Sequence, residues 1–524
     1  MEVKTKVIKG QYHDSVALML AAREMKGVEG VVDAAVVMGT DTNKGLLRQA
    51  GLLTEDAESA SADDLIFAVK REKDADAVLE LSDTFLVKKR SKDAGEGGKN
   101  VHTIRAAAKD NPDINFVEIS VAGVYAAREA REALAQGMHV LLFSDNVSIE
   151  DEIDLKRYAV SKGLLLMGPG AGTAFVNGVG MGFANALPKG PVGIVSAAGT
   201  GLQEVSTILA KNGIGVSQAI GTGGRDLSKQ VGGLMAAMSI EALIEDEDTE
   251  LIVLISKPAD AAVTEKLLAL LRAGKKDCVI CTLGAEIKRK QDGHIHFTAT
   301  LEACAMTAVR LARGDMPEYD AYVEKDVAAL EKQAADIKKK LNDEQKYIRG
   351  LYSGGTLCYE AQVIWRDMLA ETVYSNAPLE KMNMLAEGAE QDCHTTLDLG
   401  EEEFTVGRPH PMIDNDLRMR YIEAAGNDAR TAVIVMDVVI GYGAHPDPAD
   451  ELGRAIGAAI SAAERKDGRM LPVVTCVTGS ADDPQGLTQT QKKLADAGAI
   501  VCETNAQAAR LAALIAGGEM AVRK

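Results

Sequence analysis

Pro191-Val192-Gly193-Ile194-Val195-Ser196-Ala197-Ala198-Gly199-Thr200-Gly201-Leu202-Gln203-Glu204-Val205 reads as an apolar strand, a Gly-Thr-Gly turn and the start of a helix. Ile348-Arg349-Gly350-Leu351-Tyr352-Ser353-Gly354-Gly355-Thr356-Leu357-Cys358-Tyr359-Glu360 reads the same way, 157 residues later when Ser353 is set against Ser196. Downstream the match continues. The apolar run 251–255 corresponds to 432–436, and 278–283 to 473–477; alanine-rich helices at 301–313 and 506–516 close the two copies. A diverged internal repeat of strands and helices implies two related flavodoxin-like α/β domains, at 190–320 and 347–520. The second is expected to be enlarged by an insertion around 392–420. Between them, Val323, Val327, Leu330, Ala334, Ile337 and Leu341 recur at three-to-four spacing, so 322–346 reads as a solvent-facing linker helix packed along one domain.

Upstream, strand-length runs at 116–120, 140–143 and 163–167 alternate with helical segments at 126–135 and 149–161. That alternation predicts a Rossmann-like parallel sheet over 100–188. The first ninety residues read β-α-β-α-β-α and predict a small N-terminal α/β domain, 1–90. The charged, glycine-bearing stretch 89–99 reads as a linker.

A chain of 524 residues is too long for one core, so several domains are expected. The formal charge of −19, with no compensating basic stripe, argues against nucleic acid and anionic membranes as partners. The N-terminus lacks an apolar signal-peptide core, and the longest uncharged stretch, 163–188, is too rich in glycine for a transmembrane helix. A soluble, cytoplasmic protein is expected. Seven scattered cysteines suit reduced thiols. Cys278 and Cys281 form a lone C-x-x-C inside a strand-like run, which reads as buried strand; no metal site is expected.

Glycine-rich turns from a parallel strand into a helix leave backbone N–H groups converging where the helix dipole favours an anion. Gly199, Thr200 and Gly201 form one such turn; Gly354, Gly355 and Thr356 form the other. Packed face to face, the two repeats would aim both helix starts at one anion, although glycine also serves simply to permit a tight turn. Arg225, in Gly223-Gly224-Arg225-Asp226-Leu227-Ser228, could bind phosphate or carboxylate through two N–H groups, or the loop could be a hinge. In Thr405-Val406-Gly407-Arg408-Pro409-His410-Pro411-Met412-Ile413-Asp414, two prolines stiffen an array in which Arg408 would bind an anion, His410 move a proton and Asp414 orient it. A rigid loop of solvated groups is the alternative. Lys257-Pro258-Ala259-Asp260 and Asp437-Val438-Val439-Ile440-Gly441 occupy strand ends, where open α/β sheets collect ligands. The P-loop, complete dinucleotide-binding and zincin motifs are absent.

Met167-Gly168-Pro169 followed by Val192-Gly193-Ile194-Val195-Ser196 and Gly199-Thr200 resembles the α subunit of succinyl-CoA synthetase, and the region after Arg430 resembles the last ligase domain of its β subunit. Six longer runs resemble the FdrA family over nearly the whole length. They are MGTDTNK at 38–44, FSDNVSIEDEIDLK at 143–156, GGRDLS at 223–228, YSGGTL at 352–357, TVGRPHPMID at 405–414 and DVVIGYGA at 437–444. The resemblance implies a CoA-binding-type domain at 100–188 and two succinyl-CoA synthetase-type ligase domains. It implies a subunit of oxamate carbamoyltransferase, which cleaves oxalurate with phosphate into oxamate and carbamoyl phosphate in allantoin and purine catabolism. Departures matter here. No ATP-grasp domain fits between the matched parts, Gly293-His294-Ile295-His296 lacks the phosphohistidine context, and only 38–45 could stand in for the first CoA-phosphate loop. CoA is therefore a candidate cofactor rather than a required one. Small anionic substrates and either partner subunits or homo-oligomers are expected. An acyl-CoA ligase and a non-catalytic scaffold are the alternative readings.

Overall fold

The computed structural model describes residues 1–520 apart from Tyr12, Asp14, 88–100, Lys288, 315–317, 387–391 and 406–408. Two compact units form, one from Met1–Thr103 with Glu402–Pro409, the other from Ile104–Glu401 with His410–Lys524.

In the first unit the strands Glu2–Ile8, Leu65–Arg71 and Val31–Met38 lie side by side in that order, all antiparallel. Leu18, Met25, Val78 and Leu79 pack with Phe67 and Val69, whereas Leu47, Leu52 and Ala57 pack with Ile66 and Ala68. Alternate residues of the central strand thus face two separate cores, which is why 65–69 is an unbroken apolar run.

The second unit contains three sheets. Phe116–Ile119, His139–Leu142 and Leu166–Met167 form a small parallel one, flanked by the helices Gly123–Ala135 and Ile149–Ser161. An eight-stranded sheet has four parallel strands at its centre, in the order Asp277–Thr282, Leu251–Ser256, Lys189–Ser196, Val216–Gly221. The hairpin Thr173–Val176/Val179–Gly182 adds antiparallel to Val216–Gly221, so residues 173–182 hydrogen-bond into this sheet rather than the preceding one.

The third sheet is six-stranded and parallel: Val373–Ser375, His394–Asp398, Tyr347–Tyr352, Thr431–Val439, Val473–Thr478, Ile500–Cys502. Its inner four strands repeat the topology of the eight-stranded sheet, with Tyr347–Tyr352 standing where Lys189–Ser196 stands. The larger addition precedes 392–420, where the link 399–415 is only five residues longer than its counterpart 222–233. His394–Asp398 is the counterpart of Val216–Gly221 and Asp416–Asn427 that of the helix Leu234–Glu245, so the larger addition is 369–393, carrying the edge strand Val373–Ser375, where the first repeat has only 212–215.

The joining helix runs over Tyr319–Lys338 and is not solvent-facing along its apolar stripe. Leu330, Ala334 and Ile337 enter the core shared by both repeats, against the helix Asn505–Ile515. Cys278 and Cys281 are buried strand residues, and burial pushes the Cys278 thiol up to about 12. Among the described residues no helix is long and apolar enough to cross a membrane.

Candidate functional site

The two helices that follow the glycine turns, Gly199–Lys211 and Gly355–Met368, begin against one another. Thr356 N donates to Thr200 Oγ1 at 3.2 Å, both residues being buried. A Cβ on Gly201 would stand 2.9 Å from the Thr356 methyl, and one on Gly354 3.0 Å from Thr200 Cβ. Glycine at these positions is what allows the helix starts to approach so closely.

Their surroundings differ. At the second turn Asp437 accepts Ser353 N at 2.7 Å and Gly354 N at 2.8 Å, and it is held in turn by Arg418 at 3.2 Å. Asp437 is fully enclosed and Arg418 nearly so, so each charge depends on the other. Asp398 lies against Gly355, its Oδ2 2.3 Å from where a Cβ would stand. Burial, reinforced by Glu401, pushes the Asp398 carboxyl up to about 7, while Lys257 from the other repeat pulls it down. At the first turn the brace is a hydroxyl. Ser196 Oγ accepts Ala198 N at 3.1 Å, and the helix has no side-chain cap. Gly199 is exposed, and the nearest atom to an added Cβ would be Thr173 Oγ1 at 4.0 Å.

Behind the helix starts the repeats are cross-braced. Glu204, on the first helix, accepts Asn505 N at 3.0 Å from the last helix of the second repeat. Glu360, on the second, accepts Leu301 N at 2.6 Å from the last helix of the first repeat. Desolvation pushes the Glu360 carboxyl up to about 8.

The remaining expected residues sit elsewhere or in other roles. Arg225 is committed to Glu152 at 2.8 Å and to Val147 O at 2.8 Å. The adjacent Asp226 and Glu152 share the buried Lys156, at 2.9 and 2.8 Å. The runs 143–156 and 223–228 therefore meet in one ionic network that ties the small parallel sheet to the eight-stranded one. Arg408 lies outside the described residues. His410 rests on Phe183 with ring centroids 5.6 Å apart, and its Nδ1 accepts Met412 N at 3.2 Å. Desolvation, aided by the Arg418 charge, pushes its pKa down to about 4, so the imidazole is neutral at pH 7. Asp414 accepts Asp416 N at 2.9 Å, where the helix Asp416–Asn427 begins. Sequence reasoning missed Asp398, Arg418 and the two bracing glutamates. Asp437, quoted only as a strand end, lies within an apolar nine-residue strand, a position that demands a buried partner.

Comparison with known proteins gives three family profiles: the AllF heavy metal-associated domain at 1–103, the CoA binding domain at 188–284 and CoA-ligase at 351–515. Uncharacterized protein YahF of Escherichia coli (strain K12) is 40% identical over 517 residues, spanning 98% of each chain. Among solved structures, ATP citrate lyase from Methanothrix soehngenii in complex with citrate and coenzyme A is similar over 42% of this chain and 39% of its own, at 19% identity and a TM-score of 0.32. The dinucleotide forming acetyl-coenzyme A synthetase 1 of Ca. Korarchaeum cryptofilum, in complex with phosphate and ADP, is similar over 80% and 86%, at 15% identity and a TM-score of 0.30.

Two implied groups can be tested against the side chains present. A heavy metal needs thiolate or imidazole ligands. Residues 1–103 hold no cysteine and two histidines, His13 and His102, and the described residues contain no metal-ligand cluster. The donor set does not fit such a metal. CoA fares better. The helix Gly123–Ala135 starts without a side-chain cap, with Val124 and Tyr125 81% and 61% exposed, and the half-exposed Arg225 reaches the neighbouring 145–147 segment. An uncapped helix start, an apolar surface and an aromatic ring at the carboxyl end of a parallel sheet suit a phosphate-bearing nucleotide.

Proposed function

The chain belongs to the FdrA-type family of succinyl-CoA synthetase-like, acyl-CoA ligase-type proteins, and from that premise we propose that it is the acyl-phosphate-handling subunit of an oxamate carbamoyltransferase. The observation that carries this reading is the first glycine turn. Gly199 opens to solvent at the uncapped start of a thirteen-residue helix, a seat for a phosphoryl group, while Thr200 locks that helix start to Thr356. Gly354 and Thr356 shape the seat rather than contact the anion, since their N–H groups already have acceptors within the chain, and Gly201 and Gly355 give the close approach to Thr356 and Asp398. Exposed Lys257, at the end of Leu251–Ser256, supplies the nearby cation for the carboxylate of oxalurate or oxamate. Partner subunits would complete the site.

A second reading, acid–CoA ligation, is favoured by the CoA-binding and CoA-ligase profiles and by the Val124–Tyr125 surface. CoA would be held there and would supply a thiol to accept an acyl group. Thermal unfolding of the full-length chain with carbamoyl phosphate, oxamate or CoA separates the two. A ligand at about 100 times its Kd stabilises by about 2.7 kcal/mol. Stabilisation by carbamoyl phosphate is the expected result; stabilisation by CoA alone would replace the first reading with the second.

A further inference from the structure

We propose that Asp398 exchanges a proton with the substrate nitrogen where the two repeats meet, with Lys257 holding the substrate's negative charge beside it. The proposal rests on the carbamoyl-transfer reading. Asp398 is 3% exposed, and its backbone is fixed on both sides by Asn376, which accepts Asp398 N at 2.9 Å and donates to Asp398 O at 3.0 Å. Oδ1 accepts Gly400 N at 3.0 Å. Oδ2 has no hydrogen-bond partner among the described residues and is aimed at Gly355, the first residue of a fourteen-residue helix. Oδ2 is thus the atom of a nine-tenths buried side chain that is left open to a ligand at the helix start.

The groups facing it come from every neighbouring element. They are Glu401 just along the chain, Asp437 from Thr431–Val439, Lys257 from the first repeat, Cys358 on the helix, and His410 across Gly400. With its carboxyl near neutrality, Asp398 is present in both protonation states at pH 7, which His410 is not. In the reaction a phosphate oxygen bonds to the carbamoyl carbon of oxalurate, and the bond from that carbon to the oxamyl nitrogen breaks. The nitrogen keeps the electron pair and takes the Asp398 proton. The carboxylate left behind then takes the proton that phosphate loses on attack, so the balance closes without another reactant.

Calorimetric titration of carbamoyl phosphate into the full-length chain, at pH 7.5 in two buffers of different ionisation enthalpy, tests this directly. An anion bound beside Asp398 raises its pKa, so net proton uptake is expected in the wild type and none in Asp398→Asn, with affinity kept within about threefold. Lys257→Met should weaken binding about tenfold. In oxalurate phosphorolysis by the chain with its partners, Asp398→Asn should lower kcat about 100-fold with KM little changed, remove the ionisation near pH 7 from the rate profile, and be partly rescued by Asp398→Glu. Wild-type uptake needs no variant, so a misfolded substitution leaves the test standing. Binding without proton uptake, or uptake that persists in Asp398→Asn, overturns the role of Asp398 alone. Absence of carbamoyl phosphate binding overturns the carbamoyl-transfer reading and this inference with it.

Discussion

At Gly199 an added Cβ would find its nearest neighbour 4.0 Å away; at Gly355 it would stand 2.3 Å from a carboxylate oxygen. The two glycine turns share a pattern, a backbone and a place in their sheets, and they touch through Thr200 and Thr356. Around the first, the braces are neutral hydroxyls and the mouth is open. Around the second, Asp437 fills the anion position with the chain's own charge and Asp398 crowds the helix start. Repetition has kept the scaffold and changed what surrounds it; on the reading proposed above, one turn would receive an anion and the other bring an acid to it.

The largest test of that asymmetry is to remove each turn's brace. Asp437→Ala strands Arg418 as an unpaired buried charge and should cost about 3–5 kcal/mol in urea denaturation. Ser196→Ala removes only a hydroxyl bond to Ala198 N and should cost about 1 kcal/mol. Equal losses would mean that the turns are equivalent after all. Next come the glycines. Gly355→Ala forces a methyl onto Asp398 and should cost about 1–3 kcal/mol, whereas Gly199→Ala should stay within about 0.5 kcal/mol. Smaller still is the contact between them: Thr200→Val deletes the acceptor of Thr356 N and should cost about 1 kcal/mol, while Thr356→Val retains that bond because its donor is main chain.

The last contrast is smallest in acid, below about pH 4.5, and opens as pH rises. Glu360 goes from an ordinary 4.5 to about 8 in the fold, so the native state keeps a proton that the unfolded chain releases. Its contribution is fully present below about pH 4.5 and is lost as pH rises towards 8. Denaturation midpoints at pH 5, 6.5 and 8 should therefore fall less steeply in Glu360→Gln than in the wild type; parallel slopes would show that the group is not held neutral.

The repeat was legible because parallel strands covered on both faces are written as apolar runs, and a Gly/Thr turn follows each. The partners of the turns were not. Asp398 ends a short run, His394-Thr395-Thr396-Leu397-Asp398, whose hydroxyls and charge make it look like loop. For the same reason the added segment was expected at 392–420 instead of 369–393. Arg225 looked free to bind an anion because its partner, Glu152, is distant in sequence and becomes visible only once 149–161 folds as a helix beside it. Pairings set by sheet order, not by local pattern, are what the linear chain concealed.

The reciprocal glutamates also impose an order on synthesis. The start of the helix Leu301–Arg313 has its acceptor on Glu360, about sixty residues further along the chain, and Asn505 must find Glu204 across three hundred. A nascent first repeat leaving the ribosome is thus unfinished: Thr300 already caps the helix, but Leu301 N lacks its acceptor, and the apolar surface that Trp365 and Ala509 will later cover is open. Until the second repeat emerges, that surface is available to chaperones or to a neighbouring nascent chain, and a ribosome that stalls between the repeats would release a protein that cannot close.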